Sequence, residues 1–106
     1  MTRPLLVALL AALTLGASAD QDFRGVISDD MCAANHAAMR MGPTDAECTD
    51  ACVEEHGASY VLVDGTHVYR LSNQTAAKPF AGKKVRVVGT LDAATGTITV
   101  SAITGG

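Results

Sequence analysis

Three cysteines and a histidine fall into two pairs of matching spacing. Cys32 and His36 stand four residues apart in CAANHAAM, and Cys48 and Cys52 four apart in CTDACVEEH; the chain has no other cysteine. Residues four apart on a helix lie on one face, one turn above the other. Two helices facing each other across a tight turn would therefore gather three sulfurs and an imidazole. That Cys₃His set suits tetrahedral zinc. Met39 comes next on the stripe of Cys32 and His36, and His56 lies four residues past Cys52, so both are reserve ligands. Met31, Met39 and Met41 add soft thioethers, which makes Cu(I) the competing metal.

The same residues support two other chemistries. In an oxidising compartment, Cys32 could bridge to Cys48 or to Cys52 and staple the two helices. Closing a loop of about 15–20 residues contributes roughly 3 kcal/mol in the chain-entropy model. A Cys48–Cys52 bridge inside one regular helix is less comfortable, because both side chains would have to bend away from the helical direction. Either staple leaves one thiol over. The third chemistry is thiol redox: Cys32 falls in the first turn of its helix, where the dipole lowers a thiol pKa, with His36 one turn on. The chain carries no Cys-x-x-Cys motif and nothing resembling an oxyanion hole. The expectation is a non-enzymatic protein.

These pairs need helices to carry them, and the sequence supplies the signals. Residues 23–27, FRGVI, read as a first strand ending at Ser28-Asp29-Asp30, three good N-cap types. A helix is expected over residues 31–41, broken by Gly42-Pro43. Thr44 and Glu47 then have the form of a capping box for a second helix running to about His56 and stopping at Gly57. A helical hairpin over residues 29–57 follows the first strand. Beyond it the pattern is β: strands are expected at residues 59–63, 67–71, 83–91 and 97–101. Asp64-Gly65 makes the tight turn of the hairpin between the first two of these. Residues 72–82 form a loop with one helical turn near Ala76-Ala77. Five short strands in so small a chain favour a closed antiparallel barrel, with Gly25 and Gly89 at its bends.

The ends and the charge bound the setting. MTRPLLVALLAALTLGASAD has a basic start at Arg3, an apolar run and the small-residue sequence Ala17-Ser18-Ala19. That is the form of a secretory signal peptide over residues 1–19, cut between Ala19 and Asp20. The product, residues 20–106, is expected as one exported domain, periplasmic or secreted, with no membrane attachment. It carries seven basic against eleven acidic residues, a net charge of −4. Residues 20–64 hold ten of those acids and two arginines, so the cysteine-bearing half is strongly acidic. Such a field draws cations and repels phosphate backbones, which argues for a metal or protein partner and against nucleic acid.

Other residues have plainer readings. Tyr60 and Tyr69 have the chemistry to stack on bases, but core and rim packing is the simpler role in an aromatic-poor barrel. His67 follows the hairpin turn and is expected in solvent. Lys78, Lys83, Lys84 and Arg86 read as a solvated strand face. Asn73-Gln74-Thr75 matches a glycosylation sequon.

The run GVISDDMC, a histidine, CTDACV, YVLVDG, VYRL and AGKKVRVVGTLD resembles a family of small exported bacterial proteins of uncharacterised function, over nearly all of residues 20–106. The C-terminal half is also similar to bacterial periplasmic OB-fold proteins. The resemblance implies export and a small OB-like barrel and carries no reaction. The expected fold is therefore mainly β with a helical insertion: a five-stranded antiparallel OB-like barrel with a helical hairpin after strand 1.

Overall fold

The computed structural model describes residues 19–31, 44–65 and 67–106. Residues 1–18 of the expected signal sequence, residues 32–41 of the expected first helix with Cys32, His36 and Met39, and the Gly42-Pro43 break lie outside the described residues. The described elements are β1 (Gln21–Asp29), α1 (Asp45–His56), β2 (Tyr60–Asp64), β3 (His67–Leu71), a short α2 (Gln74–Ala77) running into a 3₁₀ turn (Lys78–Phe80), β4 (Lys84–Asp92) and β5 (Thr97–Gly105).

The strands form one sheet that closes on itself in the order β1-β2-β3-β5-β4, with β4 returning to β1. The fold is mainly β, as expected, but it is not antiparallel throughout. β3 and β5 run parallel where Arg70 meets Thr97 and Leu71 meets Ile98. The reason is parity: a ring with an odd number of strands cannot alternate direction all the way round, so one neighbouring pair must agree. Closure of five strands and a purely antiparallel sheet are incompatible.

β1 is the strand that makes closure possible. Its first part, from Gln21, pairs with β4, its last part with β2, and Val26 belongs to both, opposite Lys84 on one side and Val63 on the other. Gly25 stands at this handover, where an added Cβ would collide with the carbonyl oxygen of Val63. Gly89 plays the same part against the carbonyl of Thr99, beside a β-bulge that skips from Val88–Ala102 to Gly89–Val100. Both glycines are thus points of close backbone approach, in accord with their expected place at bends.

Several boundaries differ from the sequence expectation. β1 is longer at both ends, so Ser28 and Asp29 are buried strand residues, where the sequence suggested helix caps. β5 continues to Gly105, because β4 pairs with it along its whole length. In the β2–β3 hairpin Asp64 pairs with His67, so the tight turn begins at Gly65 (φ 61°) and not at the Asp64-Gly65 pair. The helical turn expected near Ala76-Ala77 is α2, capped by the Asn73 side chain, which accepts from the N–H of Ala76 at 2.9 Å.

The ring is filled by Ile27, Leu62, Leu71, Val85, Val87 and Ile98, with Tyr60, Ala77 and Ala81 completing the apolar cluster. These come from alternate positions of the strands, as a one-sided sheet requires. Tyr69 packs at the rim with Phe23, ring centroids 5.6 Å apart, and His67, exposed, stacks on it at 6.2 Å. The packing role for both tyrosines matches the plainer sequence reading.

Candidate metal and thiol site

α1 carries Cys48 and Cys52, and its position is fixed from several directions. Thr44 is its N-cap: the hydroxyl accepts from the Glu47 N–H at 3.1 Å and donates to the Glu47 carboxylate at 3.1 Å. The Thr44 half of the expected capping box is present, while the Glu47 carboxylate reaches the Thr44 hydroxyl in place of its backbone N–H. Asp45 and Glu47 in the first turn suit the positive end of the helix dipole. Gly57, at φ 72°, ends the helix, and Ala58 donates back to the Cys52 carbonyl at 3.1 Å. The N-terminus leans on the turn before β4, where Gly82 (φ 75°) lies so near Ala46 that a Cβ would stand 2.6 Å from its backbone nitrogen.

One face of α1 is latched by polar contacts. The Tyr60 hydroxyl donates to Asp50 at 2.7 Å, and Lys78 bridges to Glu54 at 2.6 Å. Burial of the ring, reinforced by the hydrogen bond to Asp50 and that carboxylate's charge, pushes the Tyr60 pKa up to about 12. The Lys78 ammonium is also held above its ordinary value, chiefly by its hydrogen bond to Glu54. Gln74 extends the latch. Its amide accepts from Tyr60 N–H at 2.7 Å and donates to the carbonyls of Tyr60 and Leu71, both at 3.0 Å. Lys78 thus sits on the 3₁₀ turn as a partner of α1 and is not part of the expected solvated strand face.

Another face of α1 is buried. Cys48, Thr49 and Cys52 are at most 1 % exposed, and α1 packs against β1. Ser28 and Asp29, at the end of β1, are equally buried. None of the five belongs to the apolar cluster that fills the ring. Val61, opposite Ser28 in the β1–β2 register, is also buried and also outside that cluster, so the two thiols lie in an interior that mixes apolar and polar side chains. The chain entering it is fixed as well. Asp29 accepts from the Met31 N–H at 2.9 Å, the Asp30 carboxylate accepts from the Ser59 N–H at 3.0 Å, and the Asp30 N–H donates to the Ser59 carbonyl at 3.0 Å. Backbone placement is thus set as far as Met31, the residue before Cys32.

Of the expected ligands, the structure brings Cys48 and Cys52 together, one helical turn apart and facing inward. His56 is exposed in the last turn and does not join them. Among the described residues no three His, Cys, Asp or Glu side chains gather as a metal cluster, and no disulfide is formed. Cys32, His36 and Met39 lie outside the described residues. Ser28 and Asp29 carry only the sequence signal of helix caps, a polar run where β1 still continues, and Thr49 carries no signal apart from its place in the helix.

Among the described residues no helix is long and apolar enough to cross a membrane. No curated protein and no solved structure is significantly similar to the chain. One family model does match, over residues 52–105, from Cys52 through β5. That span is just over half of the sequence, and the chain belongs to the family described as protein of unknown function (DUF5818).

Proposed function

We propose that the protein is an exported, non-enzymatic binding module in which Cys48 and Cys52, joined by Cys32 and His36, hold one zinc or Cu(I) ion. The observation that carries this reading is the pair of buried thiols one helical turn apart on α1, the helix that packs against the end of the chain leading to Cys32. Structural zinc sites are closed and built from thiolate and imidazole donors, and two thiolates at this helical spacing reach one ion. Such an ion would supply folding energy where the core is small and would tie α1 to the chain leaving β1.

The scaffold in this reading is an OB-like barrel. It is supported by the five-strand closed order, with β1 shared between β2 and β4, and by the out-of-order connection from β3 to β4, which leaves β5 paired between them. The acidic half of the chain favours cation capture over phosphate binding.

The test uses protein recovered from the export compartment without chelator, with bound metal and free thiols determined on the same native sample. One metal per chain, with all three cysteines reduced once it is stripped, is the expected result. One free thiol and no metal contradicts the site and leaves a Cys32 bridge to Cys48 or Cys52, making the protein a stapled structural or interaction domain.

A further inference from the structure

The proposed metal site draws on two arms: the chain that leaves β1 toward Cys32, and α1 with Cys48 and Cys52. Both arms are tied to one cross-strand pair. Asp29, the last residue of β1, stands opposite Tyr60, the first residue of β2. The Asp29 carboxylate accepts from the Met31 N–H at 2.9 Å, one residue short of Cys32. The Tyr60 hydroxyl donates to Asp50 at 2.7 Å, and Asp50 lies on α1 midway between the two cysteines. The next step along the strands repeats the tie on the first arm. There the Ser59 N–H donates to the Asp30 carboxylate and the Asp30 N–H to the Ser59 carbonyl, both at 3.0 Å.

The pair itself is held firmly. Asp29 is fully buried and Tyr60 nearly so. β2 meets β3 only from Val61 onward, and at Tyr60 the Gln74 side chain takes the place of the missing strand. It accepts from the Tyr60 N–H at 2.7 Å and donates to the Tyr60 carbonyl at 3.0 Å. Tyr60 is thus gripped by β1 on one side and Gln74 on the other, with its ring in the apolar cluster. Its hydroxyl then pins the middle turn of α1 through a bond to a carboxylate, the stronger class of hydrogen bond. Tetrahedral zinc is held tightly when its donors are fixed near their final geometry by the residues around them.

We infer that the Asp29–Tyr60 pair, acting through Met31 on one arm and Asp50 on the other, is the positioning element of the metal site and sets how tightly the ion is held. This rests on the metal reading proposed above and deepens it, since the barrel then governs the affinity of a site whose ligands it does not supply. Asp29, Asp30, Asp50 and Tyr60 are positioning residues, and none of them is a ligand.

The test titrates zinc, against a competing chelator, into the processed protein after reduction and removal of metal. Tyr60→Phe and Asp50→Ala are each expected to weaken zinc binding about 10-fold, as loss of an outer-shell partner does. The double variant should lose no more than either alone, because both remove one bond. Asp50→Asn keeps an acceptor for the Tyr60 hydroxyl and should bind like the native chain. On the other arm Asp30→Ala, at an exposed residue, should also weaken zinc about 10-fold. Thr44→Ala controls for stability: it removes the cap of α1, leaves the Tyr60 tie in place, and should keep native zinc affinity. Native zinc binding that is lost in Cys48→Ser but unaltered in either Tyr60→Phe or Asp30→Ala overturns this inference alone, as does an equal loss in Thr44→Ala. A native chain that takes up no zinc overturns it together with the metal reading.

Discussion

Tyr60 shows how much a single residue ties together. Its ring is in the core, its hydroxyl reaches Asp50 on α1, and its backbone is held on both sides by Gln74. The pKa raised from 10.0 to about 12 means that the native state favours the neutral phenol. That stabilisation is fully present below pH 10 and is lost as pH rises through about 12, and Lys78, also raised, adds to the loss in the same direction. Thermal midpoints across this window should fall for the native protein and fall less for Tyr60→Phe; equal slopes would contradict the assignment. At neutral pH the same variant should cost about 1 kcal/mol, the worth of one hydrogen bond to a charged acceptor offset by solvent access at Asp50. Gln74→Ala leaves the Tyr60 amide and two carbonyls unsatisfied, so chemical denaturation should show a loss of about 1–3 kcal/mol. The apolar role of Tyr60 was readable from its place in a β pattern. Asp50 and Gln74 were not, because each meets it only through tertiary packing and neither has local periodicity to announce it.

Among the elements, α1 was the best announced. Thr44, Glu47 and Gly57 are local signals; Thr44 and Gly57 take the expected capping parts, and Glu47 meets the Thr44 hydroxyl. Thr44→Ala should destabilise the protein by about 1 kcal/mol in urea unfolding, with Thr44→Ser close to native. A native-like Thr44→Ala would mean that packing against β1 and the Asp50 and Glu54 latches fix the helix without its cap. Strand ends were read less well. Ser28 and Asp29 are cap-forming types, and their local chemistry points to a helix start; pairing of β1 with β2 overrides it and carries the strand to Asp29. β5 was cut short at Ser101 for a similar reason. Its last residues, Ala102 to Gly105, lack a strong strand signature and are extended by the partner strand β4.

For the whole molecule, the number and length of the strands point to a closed five-stranded ring, and its odd count already demands a parallel pair; that this pair is β3 with β5 depends on long-range strand order, which no local signal carries. Gly25 is where that closure is most exposed to mutation. Gly25→Ala sets a methyl against the Val63 carbonyl at the residue that passes β1 between two partners, so it should cost more than about 3 kcal/mol, the range of severe overpacking. A Gly25→Ala protein with native thermal stability would show that β1 can shift away from β2 without opening the ring. The N-terminal end of the described chain is also built in: Asp20 accepts from Thr90 at 3.3 Å and from Ser101 at 2.9 Å. If export processing follows the sequence, the recovered protein starts at Asp20, and an intact mass that retains residues 1–19 contradicts it. The central claim concerns the two buried thiols of α1, Cys48 and Cys52. It is tested most directly by the intact mass of the natively purified protein, which distinguishes metal from oxidation in one spectrum. The expected species is the processed chain plus one zinc or copper, lost in Cys48→Ser and in Cys52→Ser; a metal-free chain lighter by two hydrogens, the mark of a disulfide, contradicts it.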